Sequence, residues 1–406
     1  MKILYVTQHF PPETGAAQSR AYETAKQLVK LGNEVTVITG FPNYPTGIIP
    51  DEYRKKLFQT EIIDGIKVKR TFIIPDTKVS TKRRLANYLS FMISSIFRGL
   101  YFSKYDIVYA TSPQLFVGIS GYILSKLHRS KFVFEVRDLW VDFAYELGQL
   151  KSKRILKIAK RIEGFLYKKA DLIVTVTNGY RDRLISKGID ARKIKVITNG
   201  VDTLYYQPKD NNDSLRIEYN LVDKFVVLFA GNVGGAQGLD VVVQAANILK
   251  DDSDIIFMII GDGVEKQRLI KISEEKKLKN IKFVENQPQD KIVDFHNMAD
   301  ASLVSLKKFD LFNITIPSKT FDTLAVGKPV LIGVDGEARN IIEEAEAGLF
   351  FEPENASQLA QHVVRLKDNK NLCKTMGKNA RNAAVNKYQR HILVSRLELC
   401  LENLLT

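Results

Sequence analysis

Cysteine is almost missing from this chain: 406 residues include two, Cys373 and Cys400. Thiols so far apart match no metal-ligand spacing and cannot frame a disulfide scaffold, so a reducing compartment is expected. Long apolar runs are missing as well. No window reaches the ~18 consecutive apolar residues of a membrane-spanning helix. The opening "MKILYVTQHFPP" has one lysine and a short apolar run, and reads as a first β-strand, not a signal peptide. The five histidines show no ligand spacing, and no G-x-S-x-G elbow occurs. Asp252-Ser253-Asp254 has D-x-D spacing but lies in a helix-to-strand turn, where such residues serve the turn. No metal or cofactor is therefore expected. There is no internal repeat and no low-complexity tract. What remains is an ordinary globular composition, 45% hydrophobic and 26% charged, long enough for two or three domains.

Charge is present but unevenly placed. The net charge is +14. Residues 1–200 carry 34 Lys and Arg against 17 Asp and Glu, a net of +17; residues 201–406 carry 26 against 29, a net of −3. The first half should therefore meet something anionic, such as a membrane surface, a nucleic acid or a polyphosphate.

Strand and helix patterns alternate along the whole chain. Apolar strand candidates fall at 2–7, 34–39, 106–111, 131–136, 171–177, 225–230, 255–260, 281–284, 300–305 and 329–333. Helical patterns between them include 16–31, 113–127, 238–250, 263–276 and 355–367. Such alternation predicts an α/β fold with parallel sheets covered on both faces. "IIDGIKV" (62–68) is the exception, a hairpin turning at Asp64-Gly65. The pattern restarts near 200, where "VITNGVDTLYYQPKDNND" reads as a linker. Two doubly wound, Rossmann-like domains follow, about 1–205 and 206–386, with ligands expected in a cleft between them at the carboxyl ends of the strands.

One stretch poses the chemical question. "LFAGNVGGAQGLDVVVQAANILK" (228–250) runs from a strand through Gly231, Gly234, Gly235 and Gly238 into a helix. Glycines let backbone N–H groups approach an anion at a helix N-terminus. The spacing is neither the dinucleotide fingerprint nor a Walker A loop, and the loop holds no Lys or Arg. It is a diphosphate cradle or a tight turn. A second turn, Gly261-Asp262-Gly263, places Asp262 as an N-cap and is read as structural. In "NITIPSKTFDTLAVGKPV", Pro317 and Ser318 should start a helix, with Ser318 as its cap. Lys319 then sits in the first turn, where a cation opposes the helix dipole unless an anion rests there too. Asp322, one turn on, suits a ribose diol. In the first half Gly15 precedes a helix carrying Arg20, and "FEVRDLW" ends a strand with Glu135, Arg137 and Asp138. Charges at the end of a buried strand are expensive to hold without a purpose. His9 could line the same cleft or serve as a structural hydrogen-bonder.

Two segments are basic and amphipathic. In 80–103, Lys82, Arg83 and Arg84 precede an apolar, aromatic-rich helix that includes Leu85, Tyr88, Phe91, Met92, Phe97 and Tyr101. Membrane contact is expected there, through Lys82, Arg83, Arg84, Tyr88, Phe91, Met92 and Phe97. The helix at 151–169 is read instead as a core helix with a solvated basic face.

In this order, "FPPETGAAQSR", "EVRDLW", "VITNGVD", "FAGNVGGAQGLD", "IIGDG" and "PSKTFDTLAVGKPV" make the chain resemble the retaining glycosyltransferases of family 4, over nearly its whole length. The resemblance is greatest to the bacterial O-antigen and capsule branch that includes N-acetyl-L-fucosamine transferases. It implies the GT-B fold, with a last helix (387–405) packing back on the first domain. It implies sugar transfer, with retention, from a nucleotide-diphosphate donor, taken as UDP-linked, to a polyprenyl-diphosphate-linked saccharide. The setting would be the cytoplasmic membrane face. The family grips the donor diphosphate with an Arg and a Lys; Asn232 and Gln237 stand at those places here. The family's E-x7-E pair falls on Ile314 and Asp322, and its cleft histidine falls near Arg137.

The donor side is then assigned to Gly15, Asn232, Gly234, Gln237, Pro317, Ser318, Lys319 and Asp322, with the base against Asn286 and Gln287. Arg137, Asp138 and Lys319 would be catalytic, and His9 and Arg20 would face acceptor or phosphate. The missing positive charge would come from Lys319, with Arg137 or Arg20. Two alternatives remain open: a GT-B nucleotide-sugar 2-epimerase, and a non-enzymatic nucleic-acid-binding protein. The chain has no recognised nucleic-acid motif, so no nucleic-acid partner is expected.

Overall fold

The computed structural model describes every residue except 14, 45, 77–80, 101–103, 147, 149–151 and 210–212. Tyr101 therefore lies outside the described residues. The chain divides into two compact units, Met1–Thr198 with Arg390–Thr406, and Asn199–Gln389.

The first unit carries strands β1 (Lys2–Val6), β2 (Glu34–Gly40), β3 (Phe58–Ile63), β4 (Ile66–Thr71), β5 (Ile107–Thr111), β6 (Lys131–Val136), β7 (Leu172–Thr175) and β8 (Ile194–Val196). Its helices are α1 (Ala16–Lys30), α2 (Thr81–Gly99), α3 (Leu115–His128), α4 (Trp140–Glu146), α5 (Lys153–Lys169) and α6 (Asn178–Ser186). The sheet order is β3-β4-β2-β1-β5-β6-β7-β8, parallel except for β3. The β3–β4 turn has Asp64 at φ 47° and Gly65 at φ 78°, the two left-handed residues a tight hairpin needs. Both faces are covered. Ile3, Tyr5, Val35 and Val37 pack under α1, while Ile38 meets α2 and α3 at Gly99 and Leu124 on the other face.

The second unit carries β9 (Phe225–Ala230), β10 (Ile255–Ile260), β11 (Ile281–Val284), β12 (Ala301–Ser305), β13 (Val330–Gly333) and β14 (Gly348–Phe350). Around them lie α7 (Asp213–Glu218), α8 (Asp240–Ile248), α9 (Lys266–Glu275), α10 (Gln289–Met298), α11 (Lys319–Val326), α12 (Glu337–Glu344), α13 (Ala356–Asp368) and α14 (Lys370–Lys387). The order β11-β10-β9-β12-β13-β14 reverses at β9. Alternation decides the two cores: Val227 and Phe229 face one, Val226 and Leu228 the other. β14 was not expected; it is three residues long and only half-buried, so its pattern is weak.

The last helix, α15 (Arg390–Glu402), sends Leu393, Val394, Leu397 and Leu401 into the first unit's core beside α1. The boundary expected at 205 lies earlier, after Thr198. Arg381 is the reason. Its guanidinium donates to the carbonyls of Thr203 and Tyr206, which fixes that segment to the second unit.

Two helices correct the sequence. On α2, Phe91 is fully buried, so it cannot contact a membrane. Tyr88 is half-buried and packs on Phe116, and Met92 is half-buried too. Lys82, Arg83 and Arg84 are exposed, and the outward apolar stripe is Leu85, Ile93 and Phe97. On α5 the expected core face holds only in part. Ala159, Glu163, Leu166 and Tyr167 face inward, but Ile155 and Ile158 are exposed.

Candidate active site

In the second unit the glycine loop leaves β9 where the strand order reverses, the place where open α/β sheets bind ligands. Gly231 has φ 140°, and a Cβ there would stand 3.1 Å from the Lys319 Nζ. The chain then makes a 3-10 turn over Gly235–Gln237, which ends at Gly238 in the left-handed conformation, φ 63°. A Cβ on Gly235 would meet nothing, so that side of the loop is open.

The second glycine turn is its buttress. Val233 N–H donates to the Asp262 carbonyl and Glu265 N–H to the Val233 carbonyl, 2.9 and 3.1 Å. A Cβ on Gly261 would lie 1.9 Å from the Gly231 oxygen, and one on Gly263 2.3 Å from the Val233 oxygen. Only glycines let two backbones pass so closely. Asp262 is not an N-cap, because α9 starts at Lys266; its carboxylate accepts the next N–H, from Gly263, at 2.8 Å.

Lys319 reaches the loop from α11. Its ammonium donates to Gln237 Oε1 at 3.1 Å and sits 3.6 Å from the centroid of the Phe229 ring. Burial pulls its pKa down to about 7, against the opposing influence of Asp322. The structure thus brings Lys319, Gln237 and the glycine loop together, as the sequence grouped them. The sequence missed Phe229, which reads as one more apolar strand residue. It also missed Lys307, just after β12, whose N–H donates to the Ala236 carbonyl at 2.9 Å. Lys307 is exposed beside Gly238, so it is a second cation at the loop.

Other assignments fare differently. Asn232 is exposed, and its Nδ2 would stand 2.7 Å from a Cβ on Gly234. Ser318 occupies the cap position of α11, but its backbone is already helical (φ −58°, ψ −33°) and its side chain caps nothing. Pro317 and Asp322 are half-buried on either side of Lys319. Asn286 is exposed and Gln287 half-exposed at the end of β11, on the sheet edge two strands from β9. Among the described residues no hydrogen bond joins them to the loop.

In the first unit the loops after β1 and β5 meet at its own reversal of strand order. His9 Nδ1 lies 2.8 Å from Glu13 and its Nε2 3.3 Å from Gln114. Glu13 in turn accepts the N–H groups of Asn43 and Tyr44. Gly15 stands at the start of α1 with φ 146°. Arg20 is the clear correction. It is 4% exposed and donates to Glu135 at 2.7 and 2.9 Å and to the carbonyls of Ile197 and Thr198. A guanidinium so engaged does not serve phosphate. Glu135 is equally internal, held low by Arg20 against its burial, so it is no site residue either.

Arg137 and Asp138 do stand at the end of β6. The Arg137 N–H donates to Ser112 Oγ at 2.8 Å, and burial lowers its side-chain pKa. Burial pushes Asp138 up to about 6. Its Oδ1 is buried without a hydrogen-bond partner among the described residues, beside a small cavity lined by Ser112, Trp140, Glu163 and Tyr167.

Known families account for this arrangement. Residues 17–204 match the model for Glycosyltransferase Family 4, and residues 211–383 match Glycosyl transferases group 1. The chain belongs to the family 4 glycosyltransferases. This family 4 glycosyltransferase is 29% identical over 340 residues to WcaI of Escherichia coli, a glycosyl transferase assigned to colanic acid biosynthesis; the match spans 82% of this chain and 83% of that one. It is 22% identical, over the whole of both chains, to the amylovoran biosynthesis glycosyltransferase AmsK of Erwinia amylovora. Among solved structures, HepE of Anabaena in complex with UDP and glucose superposes with a TM-score of 0.75, covering 99% of each chain at 18% identity. That likeness establishes the GT-B fold for this glycosyltransferase.

Proposed function

We propose that this enzyme moves a sugar from a nucleoside diphosphate donor to a saccharide carried on polyprenyl diphosphate, in the assembly of a surface polysaccharide. The relatives named for colanic acid and amylovoran biosynthesis support the pathway class. The observation that carries the donor site is Lys319, whose ammonium lies beneath Gly231 and Gln237 at the strand-order reversal. Held by a neutral amide and an aromatic face, that cation has no carboxylate at hydrogen-bond distance among the described residues and would be available to an anion.

The donor diphosphate would lie on the open side of the glycine loop, gripped by backbone N–H groups, Lys319 and Lys307, without a metal ion. Asn232 would add an amide, and Asp322 would hold the ribose. The bond from the anomeric carbon to the diphosphate oxygen breaks while the acceptor oxygen bonds to the same face of that carbon. The acceptor proton passes to the departing diphosphate. The anomeric configuration is retained, and no protein nucleophile is needed. Fixed dipoles and cations that stabilise the leaving charge would supply most of the rate. Arg137 and Asp138 would orient the acceptor. The exposed basic and apolar face of α2 would rest on the anionic membrane that carries the acceptor.

Thermal unfolding with UDP, GDP, ADP, CMP or dTDP, each with magnesium or with EDTA, tests the donor site. UDP comes first because HepE was solved with it. At ~100 times its dissociation constant the matching nucleotide should add roughly 2.7 kcal/mol of stability, with or without magnesium. Lys319→Ala should abolish that shift. A shift unchanged in the variant refutes the role of Lys319, and a shift that requires magnesium refutes the metal-free site.

A further inference from the structure

Among the described residues the two sheets have four edges, and three of them are protected. β8 and β14 are three residues long, and β11 is four and carries Lys282. Short strands and lysines keep an edge from pairing with another chain. β3 has neither defence. It runs for six residues, FQTEII, at the end of the first sheet, with no Lys, Arg or Pro. Its one charge, Glu61, is held by the buried Arg70.

The geometry of the hairpin decides what this edge presents. β3 pairs with β4 in register from Phe58 opposite Thr71 to Ile63 opposite Ile66. In a hairpin closed by a two-residue turn, the closing pair exchanges both of its hydrogen bonds. Ile63, Glu61 and Gln59 therefore direct their backbone groups to β4, and Ile62, Thr60 and Phe58 direct theirs to the open edge. The same three residues share one face of the strand. Arg98 of α2 donates to Thr60 Oγ1 and lies over the Phe58 ring, 5.3 Å from its centroid, so that face is ordered. All three side chains are exposed, Phe58 at 46% and Ile62 at 75%. Outward backbone groups beneath an exposed aromatic and an exposed aliphatic side chain make a template for another strand.

We propose that the partner strand is β3 of a second copy of this chain, paired antiparallel about a two-fold axis at Thr60. The strand fits itself in this register. Phe58 falls opposite Ile62, Gln59 opposite Glu61 and Leu57 opposite Ile63, each pair occurring twice, and Thr60 falls opposite Thr60. Aromatic–aliphatic, amide–carboxylate and Thr–Thr pairs all favour antiparallel association. At the ends the exposed Lys56 falls opposite Asp64, which also holds Lys26. Moving the axis by one residue spoils the match. Centred on Glu61 it sets two like charges face to face, and centred on Gln59 it sets Glu61 against Leu57. A self-complementary patch on a two-fold axis is the commonest way for identical chains to associate. The strand keeps its faces in this pairing, so α2 of both copies lies on the same side of the joined sheet.

Sedimentation velocity of the full chain over a concentration series tests it, with a monomer–dimer equilibrium expected. Ile62→Lys sets a cation against Phe58 at both ends of the interface and should raise the dimer dissociation constant about tenfold. Thr60→Pro removes the N–H groups at the axis, which point away from β4, so it should abolish the dimer and leave the hairpin paired. The thermal midpoint of each variant, set beside that of the unaltered protein, verifies that it is folded. Cysteine substitution reads the register. Across the axis the two Thr60 Cα atoms would stand about 5.5 Å apart, within reach of a disulfide, whereas the two Gln59 positions would be out of step. Mild oxidation should therefore give a covalent dimer with Thr60→Cys, but not with Gln59→Cys or with the unaltered protein, whose Cys373 and Cys400 are half-buried. A chain that stays monomeric at every concentration would overturn the proposal. So would a dimer that survives both Ile62→Lys and Thr60→Pro, or equal cross-linking of Thr60→Cys and Gln59→Cys.

Discussion

Two cations, the buried Arg20 and the half-buried Lys319, lie beneath the strand ends of two similar sheets and have opposite fates. Arg20 finds a carboxylate, Glu135, and two carbonyls, so its charge is cancelled where it sits. Lys319 finds an amide and a phenyl face, neither of which cancels its charge, and its pKa is pulled down to about 7. A buried ion fully paired inside the protein holds the fold together. One lodged among neutral groups weakens the protein, and under the function proposed above an anion would offset that loss.

The largest effect is expected from breaking the first of these. Arg20→Ala leaves the Glu135 carboxylate buried with the Thr111 hydroxyl but without its paired cation, which should cost ~3–5 kcal/mol in urea unfolding. Replacing both partners with apolar residues, as Arg20→Met with Glu135→Leu, should recover much of that loss; no recovery would show that the carbonyl contacts matter more than the ion pair. Next comes the pH dependence of the second. Between pH 7 and 10.5 the unfolded chain binds a proton at Lys319 that the native chain does not. The unliganded protein should therefore gain stability from this group as pH rises through that window. Lys319→Met should be more stable than the unaltered protein at pH 7 and should lose that part of the slope, as unfolding at pH 7 and pH 9 would reveal. A steeper slope in the variant would contradict the depressed pKa. The smallest effect belongs to Ser318→Ala. With no cap hydrogen bond to lose, it should change stability by less than ~0.5 kcal/mol, whereas a true cap would cost ~1 kcal/mol.

The alternation of strands and helices was plain in the residues because a strand buried on both faces must be apolar throughout, as "FVVLFA" and "IIFMII" are. The glycine loop and Lys319 were legible for a related reason: each defies a local preference, four glycines between regular elements and a cation in the first turn of a helix. Arg20 misled because its partner lies 115 residues away, and nothing local distinguishes a paired guanidinium from one open to phosphate. Phe91 misled because the aromatic side chains of α2 cluster along the sequence, while burial depends on where α3 packs. On α5 the charged Glu163 is buried and Ile155 and Ile158 are exposed, the reverse of what residue type alone suggests.

The sequence by itself determined the two doubly wound units, the hairpin at Asp64-Gly65, the glycine turn after β9 and the membership of a glycosyltransferase family. Those follow from periodicity, turn chemistry and short motifs, which act within a few residues along the chain. Only the tertiary structure decided which cation is neutralised, which glycines carry the loop and which merely let another loop pass, and which face of α5 meets water. Each of these depends on what packs against the residue from a distant part of the chain, because desolvation and pairing are set by neighbours in space.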